Sequence, residues 1–496
     1  MFRSIQRANR RAILSFAATS ALGLAGAAML AACGNTSATV ATVAPTATTG
    51  SVTTLVTTSS PTATTAALAT TTAAPTAASP TAVTASVPAA ARTTMSFWAA
   101  AARMTTRTNW VQKFQDANRA ISVDFADVNP EPPLDKFLAA VAGGVPPDLL
   151  ETDRANFKER AAKTTLTALG PYAQRTSQFS ESAFFPEMWN DVQYKGGMFG
   201  VPTTTDSRAL YYNADLLRSV GLDTAKPPAT WDELLSAADV LSKKNPDGSY
   251  SQYGFVPILG NPVGPGGEDM WFLDTWQLGG DLVSADGLTA TFTSPAAEQA
   301  ITWMLTTVQR YGGYQAITAF AKALNAGPNL DPFMVGKLAM QINGDWQIAN
   351  LQKYAPNINF GVAPLPLPPN GHVTNFASGY AFGLPTGIKH ADTAWQFVQW
   401  FESPSVLLPF CVDRFLVPTL QAVANDPAYL QVSPAMKTFV ATLPVARWVS
   451  LGPGLSEYRP LVGKVAQSIL SNQVSVAAGC ANANQQVQAI FDTARK

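Results

Sequence analysis

The chain has 496 residues and is neutral overall, with 33 basic and 33 acidic side chains, and only 13% of its residues carry charge. The absence of any basic run argues against a nucleic-acid partner, and two His (His372, His390) with three Cys are too few and too scattered for a zinc site, so neither a metal nor a cofactor is expected. Eleven Trp, 12 Tyr and 25 Phe make the chain aromatic; most such rings build cores, but several here stand beside Gly or Pro turns, where loops carry function.

The first eleven residues, MFRSIQRANRR, hold four Arg and no acid, and an apolar stretch rich in Ala and Gly follows. A basic head, an apolar run and a small-residue stop form an export signal, expected over residues 1–32. The stop, Leu30–Ala31–Ala32–Cys33, resembles the bacterial lipobox, in which the Cys sulfur receives a diacylglycerol and becomes the new N-terminus. Two acyl chains anchor stably where one is marginal. The segment NRRAIL resembles the twin-arginine export signal; an ordinary basic head reads the same way, so both routes stay open. Residues 33–92 read as a tether of Thr, Ala, Pro, Ser and Val, without charge or aromatic ring from Gly34 to Ala91. Such a segment cannot bury enough apolar surface to offset its ordering entropy, so a disordered coil with an end-to-end distance of roughly 40 Å is expected.

About 400 residues remain, too many for one core and suited to two lobes. Removing the four signal Arg leaves 29 basic against 33 acidic side chains, a net charge of −4. TTMSFW reads as a strand ending at Trp98, NWVQKFQDAN as a helix, ISVDFADV as a strand, PLDKFLAAVAGG as a helix closed by Gly143 and Gly144, and PPDLLET as a strand. That alternation predicts an α/β fold with mostly parallel sheets flanked by helices. Farther on, Thr230 is a fitting N-cap for TWDELL, with Glu233 completing a capping box. Cys411 and Cys480 leave a disulfide open.

From Tyr211 to Leu241 the sequence YYNADLLRSVGLD…PPATWDELLSAADVL resembles the family 1 extracellular solute-binding proteins, the sugar receptors of ABC importers. Four further segments follow the family order. They are PDLL (147–150), FMVGKLAMQINGDW (333–346), FGVAPLPLPPNG (360–371) and GYAFGLPTGIKHADTAWQFVQWF (379–401). The loop AAAARMTTRTN departs from the family pattern. The resemblance implies a type II periplasmic-binding-protein fold with a ligand cleft between lobes. It divides the chain into a first lobe of residues 93–205 and 361–413 and a second of 206–360 and 414–496. It also implies a lipid-anchored, monomeric, non-catalytic receptor on the extracytoplasmic face of the membrane, which passes a carbohydrate to ABC permease subunits.

Sugar recognition needs flat aromatic faces and polar groups that replace water around the hydroxyls. By position in the resemblance the expected ligand contacts are Trp98, Asp206, Trp271, Asp345, Trp346, Gly379, Tyr380 and Tyr458, with Asp345 as a helix N-cap. Trp276 and Trp303 read as core. Other readings stand beside this one. They are the same receptor with a polyamine, a phosphorylated polyol or an anion, and a surface glycoside hydrolase, for which Asp206 and Asp345 would be the nominees. No internal repeat supports an adhesive array.

Overall fold

The computed structural model describes residues 92–99, 104–128, 134–176, 178–260, 267–324, 331–449 and 454–494. The expected signal, Cys33 and all of the tether before Arg92 lie outside the described residues. Those described fall within one compact unit, Ser86–Lys496.

A six-stranded sheet forms the first lobe, in the order Val417–Pro418, Val201–Thr205, Gly379–Gly383, Leu149–Asp153, Thr93–Ala99, Ile121–Asp127. The first strand forms as expected and alternates, with Met95, Phe97 and Ala99 buried. Phe97 meets Phe382 and Phe397 at ring distances of 6.0 and 5.3 Å, in a cluster that helix Ala391–Phe401 completes with Phe401. The helices expected around NWVQKFQDAN and PLDKFLAAVA form at Met104–Ala117 and Leu134–Ala142. The second lobe is built on a three-stranded sheet, Met340–Gly344, Arg208–Asn213, Phe360–Ala363. The helices Glu268–Gln277, Pro295–Arg310, Leu455–Leu470 and Val476–Ala494 pack on one another.

The sheets are mixed, which corrects the expectation of mostly parallel pairing. Within the six-stranded sheet, only Thr93–Ala99 pairs in parallel, with its two neighbours. The other pairings of the six-stranded sheet, and both in the small sheet, are antiparallel. Strands such as Gly379–Gly383 return from the other sheet and enter against their neighbours.

The lobe boundaries also shift. Phe360–Ala363 still pairs with Arg208–Asn213, so the second crossing begins after Ala363 rather than at residue 361. Val417–Pro418 pairs with Val201–Thr205, which keeps the chain in the first sheet beyond residue 413. The third crossing lies farther on, where Ala446–Arg447 runs parallel to Asn375–Phe376 of the second crossing.

Local signals hold where they are chemical. Thr230 Oγ1 accepts from the Glu233 N–H at 3.2 Å, and Glu233 Oε2 accepts from the Ala229 N–H at 2.8 Å. Asn213 caps helix Ala214–Ser219 by accepting from the N–H groups of Asp215 and Leu216. Gly144, at φ +70°, closes the turn after helix Leu134–Ala142. Cys411 and Cys480 are two separate buried thiols.

Candidate ligand-binding cleft

A cavity of about 500 Å³ opens where the elements of the two sheets face each other. One wall comes from the first lobe. Lys158 stands on helix Phe157–Ala162, Glu187 and Asn190 share a face of helix Pro186–Asp191, and Gln193 follows. The facing wall is Phe272 and Trp276 of helix Glu268–Gln277, the turn Asp281–Ala285, and Arg447–Val449 just past the third crossing. Asp281 organises this wall by accepting from Trp276 Nε1 at 2.9 Å and from the Leu282 N–H at 3.2 Å. It also pairs with Arg447, whose guanidinium lies 4.9 Å from the centre of the Trp276 ring. The Trp276 ring stacks on Phe376 at 5.8 Å, and Phe376 meets Trp448 edge-on at 4.7 Å.

One contact joins the walls and a second joins the same two lobes beside them. Glu187 Oε1 accepts from the Trp448 backbone N–H at 3.1 Å, and Glu159 Oε1 accepts from the Ser456 hydroxyl at 3.1 Å. Burial raises the affinity of Glu187 for its proton, against the pull of the Trp448 N–H and of Lys158, Arg154 and Arg447.

Behind the cavity, three side chains tie the crossings together. Arg154 is wholly buried; its Nε donates to Asp191 Oδ2 at 3.0 Å and its Nη1 to the Thr204 carbonyl at 3.0 Å. Its Nη2 reaches the Ala377 and Ser378 carbonyls at 3.2 and 2.9 Å. Burial and the Glu187 charge push Asp191 up to about 7, although Arg154 opposes them. Asp206 pairs with Arg208 at 2.8 Å and accepts from the Ser378 N–H at 2.8 Å and from the Ser378 hydroxyl. Burial alone would raise Asp206, but Arg208 and Ser378 outweigh it and hold the carboxyl below its ordinary value. Asn375 touches all three crossings. Its Oδ1 accepts from the Arg208 N–H at 2.7 Å, and its Nδ2 donates to the Arg208 carbonyl and to Thr442 Oγ1, each at 2.8 Å.

Two lobes, three crossings and a cleft that unites polar and aromatic side chains set the comparison with known proteins. The profile for bacterial extracellular solute-binding proteins matches residues 96–406, more than half of the chain. The chain belongs to that family. Among curated relatives, this solute-binding protein is 26% identical over 274 residues to a putative binding protein of Brucella abortus, covering 55% of this chain and 63% of that one. It is 23% identical to the maltotriose-binding protein of Pyrococcus abyssi, over 49% of each chain. The match thus spans about half to two thirds of the length of these relatives. Among solved structures it is similar to mannotriose-bound CpMnBP1, with a TM-score of 0.70 and 24% identity, over 80% of this chain and 100% of that one. It is similar too to the sugar-binding protein MalE of Xanthomonas citri, with a TM-score of 0.67 and 20% identity, over 81% and 98% of the two chains. At such identities the structural likeness establishes the type II fold.

None of the eight side chains expected to contact ligand lines the cavity of the solute-binding protein. Trp271 is wholly buried, its Nε1 donates to the Ala297 carbonyl at 2.9 Å and its ring packs on Phe292, so it is core. Tyr458 is likewise wholly buried, against Phe491. Trp98 packs on the small cluster that includes Phe137, Leu150 and Phe157. Asp206 and Gly379 serve the crossings; Gly379 sits at φ +140°, and a Cβ there would stand 2.2 Å from the Thr204 carbonyl and 2.6 Å from Arg154 Nη1. Tyr380 lies in the first sheet at a bulge opposite Thr204.

Asp345 is buried and makes no capping bond to helix Trp346–Tyr354. Trp346 has the Arg208 guanidinium 4.8 Å from its ring centre, and a Cβ on Gly344 would stand 2.1 Å from that ring. Trp276 is buried as expected of core, yet it stands on the cavity wall. The helix period explains the exchange with Trp271. Five residues apart, the two rings point about 140° from each other, and the pattern EDMWFLDTWQ does not say which face is inward. Glu187, Asp281 and Trp448 were missed; their only sequence signals are a Pro-led helix, a Gly-Gly turn and a Trp before a Gly-Pro loop.

Proposed function

We propose that this protein is a lipid-anchored extracytoplasmic receptor that binds a carbohydrate in the cleft, without turnover, and delivers it to the permease of an ABC importer. The cavity carries the reading. It joins indole and phenyl surface to hydrogen-bonding groups from both lobes, as sugar recognition requires. Its charged side chains balance, with Lys158 and Arg447 against Glu187 and Asp281. A balanced lining suits a neutral polyhydroxy ligand better than a polyamine or an anion. The hydrolase alternative loses its nominees, because Asp206 and Asp345 do not line the cavity. The sugars named for similar proteins, mannotriose and maltotriose, are the first ligands to try.

Anchoring rests on Cys33 and its preceding signal, and the tether before Arg92 would let a monomeric receptor search for its permease from the membrane surface. Closure would follow from rotation of the lobes about the three crossings. The test is a thermal-shift panel of mono- and oligosaccharides with spermidine and phosphate as contrasts, followed by product analysis. A bound ligand raises the midpoint according to its free concentration over Kd. An oligosaccharide that raises the midpoint and is recovered intact supports the proposal. Stabilisation only by spermidine or phosphate, or a cleaved sugar, overturns it.

A further inference from the structure

Trp448 sits on the cavity wall but is not set out as a stacking platform. The residue is 94% buried, with Phe376 edge-on at 4.7 Å and the Arg459 guanidinium 5.1 Å from the ring centre. Arg459 is itself held by Asp269 at 2.7 Å. The Trp448 backbone N–H is used by Glu187. The indole N–H is different, being buried and without a partner. On the opposite wall, Gln193 presents a second buried donor without a partner, its Nε2. The contrast with Trp276 is direct, since that indole N–H is satisfied by Asp281 at 2.9 Å. A buried donor left unpaired costs about as much as a lost hydrogen bond. Both residues line one cavity, from facing walls, so their unpaired donors mark where an acceptor belongs.

We propose that Trp448 Nε1–H and Gln193 Nε2–H form a donor pair that selects ligands offering acceptor oxygens to both walls, with Trp448 acting through its N–H and not through its face. This rests on the cleft being the binding site, and it deepens that reading by assigning specificity. Hydroxyl, ring and glycosidic oxygens meet the requirement. A polyamine, whose protonated nitrogens only donate, does not. Tyr458 also has a hydroxyl without a partner, but it lies off the cavity wall and takes no part.

The test uses Trp448→Phe and Gln193→Leu, with Trp276→Phe as comparator. Without ligand, Trp448→Phe removes no bond and should leave the unfolding midpoint close to that of the wild type, while Trp276→Phe lowers it. A Trp448→Phe protein that loses as much stability as Trp276→Phe would overturn the proposal, whether or not any probe binds. The second arm titrates mannotriose, maltotriose, phosphate and spermidine by calorimetry. For any oxygen-bearing probe that binds, Trp448→Phe and Gln193→Leu should each weaken affinity about 10-fold or more, because the ligand acceptor is then left unpaired. Unchanged sugar affinity in Trp448→Phe sinks the donor pair and leaves the carbohydrate reading standing. Phosphate binding that depends on both residues keeps the donor pair and removes the carbohydrate. Spermidine as the only binder contradicts both.

Discussion

Replacing Arg154 by Met keeps the length of the side chain and removes every donor. Arg154 has no solvent exposure, and its guanidinium links Asp191 on the cavity-wall helix to carbonyls of the first and second crossings. Removing one partner of a buried ion pair costs about 3–5 kcal/mol, a large share of the roughly 5–15 kcal/mol that stabilises a typical fold. The loss should depend on pH. Asp191 titrates at about 7 in the fold against an ordinary 3.8, so the folded state holds this proton more tightly than the unfolded chain. Its contribution to stability is therefore greatest below 3.8 and declines as pH rises to about 7. Without Arg154, burial and the Glu187 charge act on Asp191 with one opposing cation fewer, and the decline extends to higher pH. Urea unfolding followed by circular dichroism should show a deficit for Arg154→Met that is larger near about pH 8 than near about pH 5. Adding Asp191→Asn should recover part of the loss at the higher pH. Equal urea midpoints for variant and wild type at both pH values would refute the clamp between the crossings.

Asp281→Ala should free Arg447 and the Trp276 indole, and weaken sugar affinity about 10-fold or more, about 1.4 kcal/mol, by calorimetry. Trp346→Ala should lower the unfolding midpoint, because the ring packs under Arg208 and on Gly344, and leave ligand affinity within about 3-fold, under about 1 kcal/mol; a large affinity loss would return Trp346 to the site. Cys33→Ser should abolish fatty-acid labelling and move the protein from membrane to soluble fractions; unchanged labelling refutes the anchor. A chain beginning at Arg92 should bind ligand as the full chain does.

The parts of the fold that were legible in the sequence are those encoded locally. The strand at TTMSFW and the capping box at Thr230 depend on neighbours a few residues away, and each forms as read. The order of five weak segments was enough to name the family. The cleft was not legible, because its members lie far apart and meet only through the crossings. Glu187 reaches Trp448 across 261 residues, and Arg447 reaches Asp281 across 166. Asp206 and Gly379 were expected at the ligand, and the structure gives both work at the crossings instead. Trp271 and Tyr458 show the limit of counting aromatic side chains, since an indole in a core and one on a cavity wall carry the same local sequence signal.

A crystal structure of the protein with mannotriose or maltotriose, whichever raises the unfolding midpoint, tests the central claim most directly. The account predicts an intact sugar in the cavity between Glu187 and Asp281, with an oxygen accepting from Trp448 Nε1 and another from Gln193 Nε2. A sugar bound beside Trp346 or elsewhere on the surface, with the cavity between Trp276 and Lys158 unchanged and empty, would contradict it.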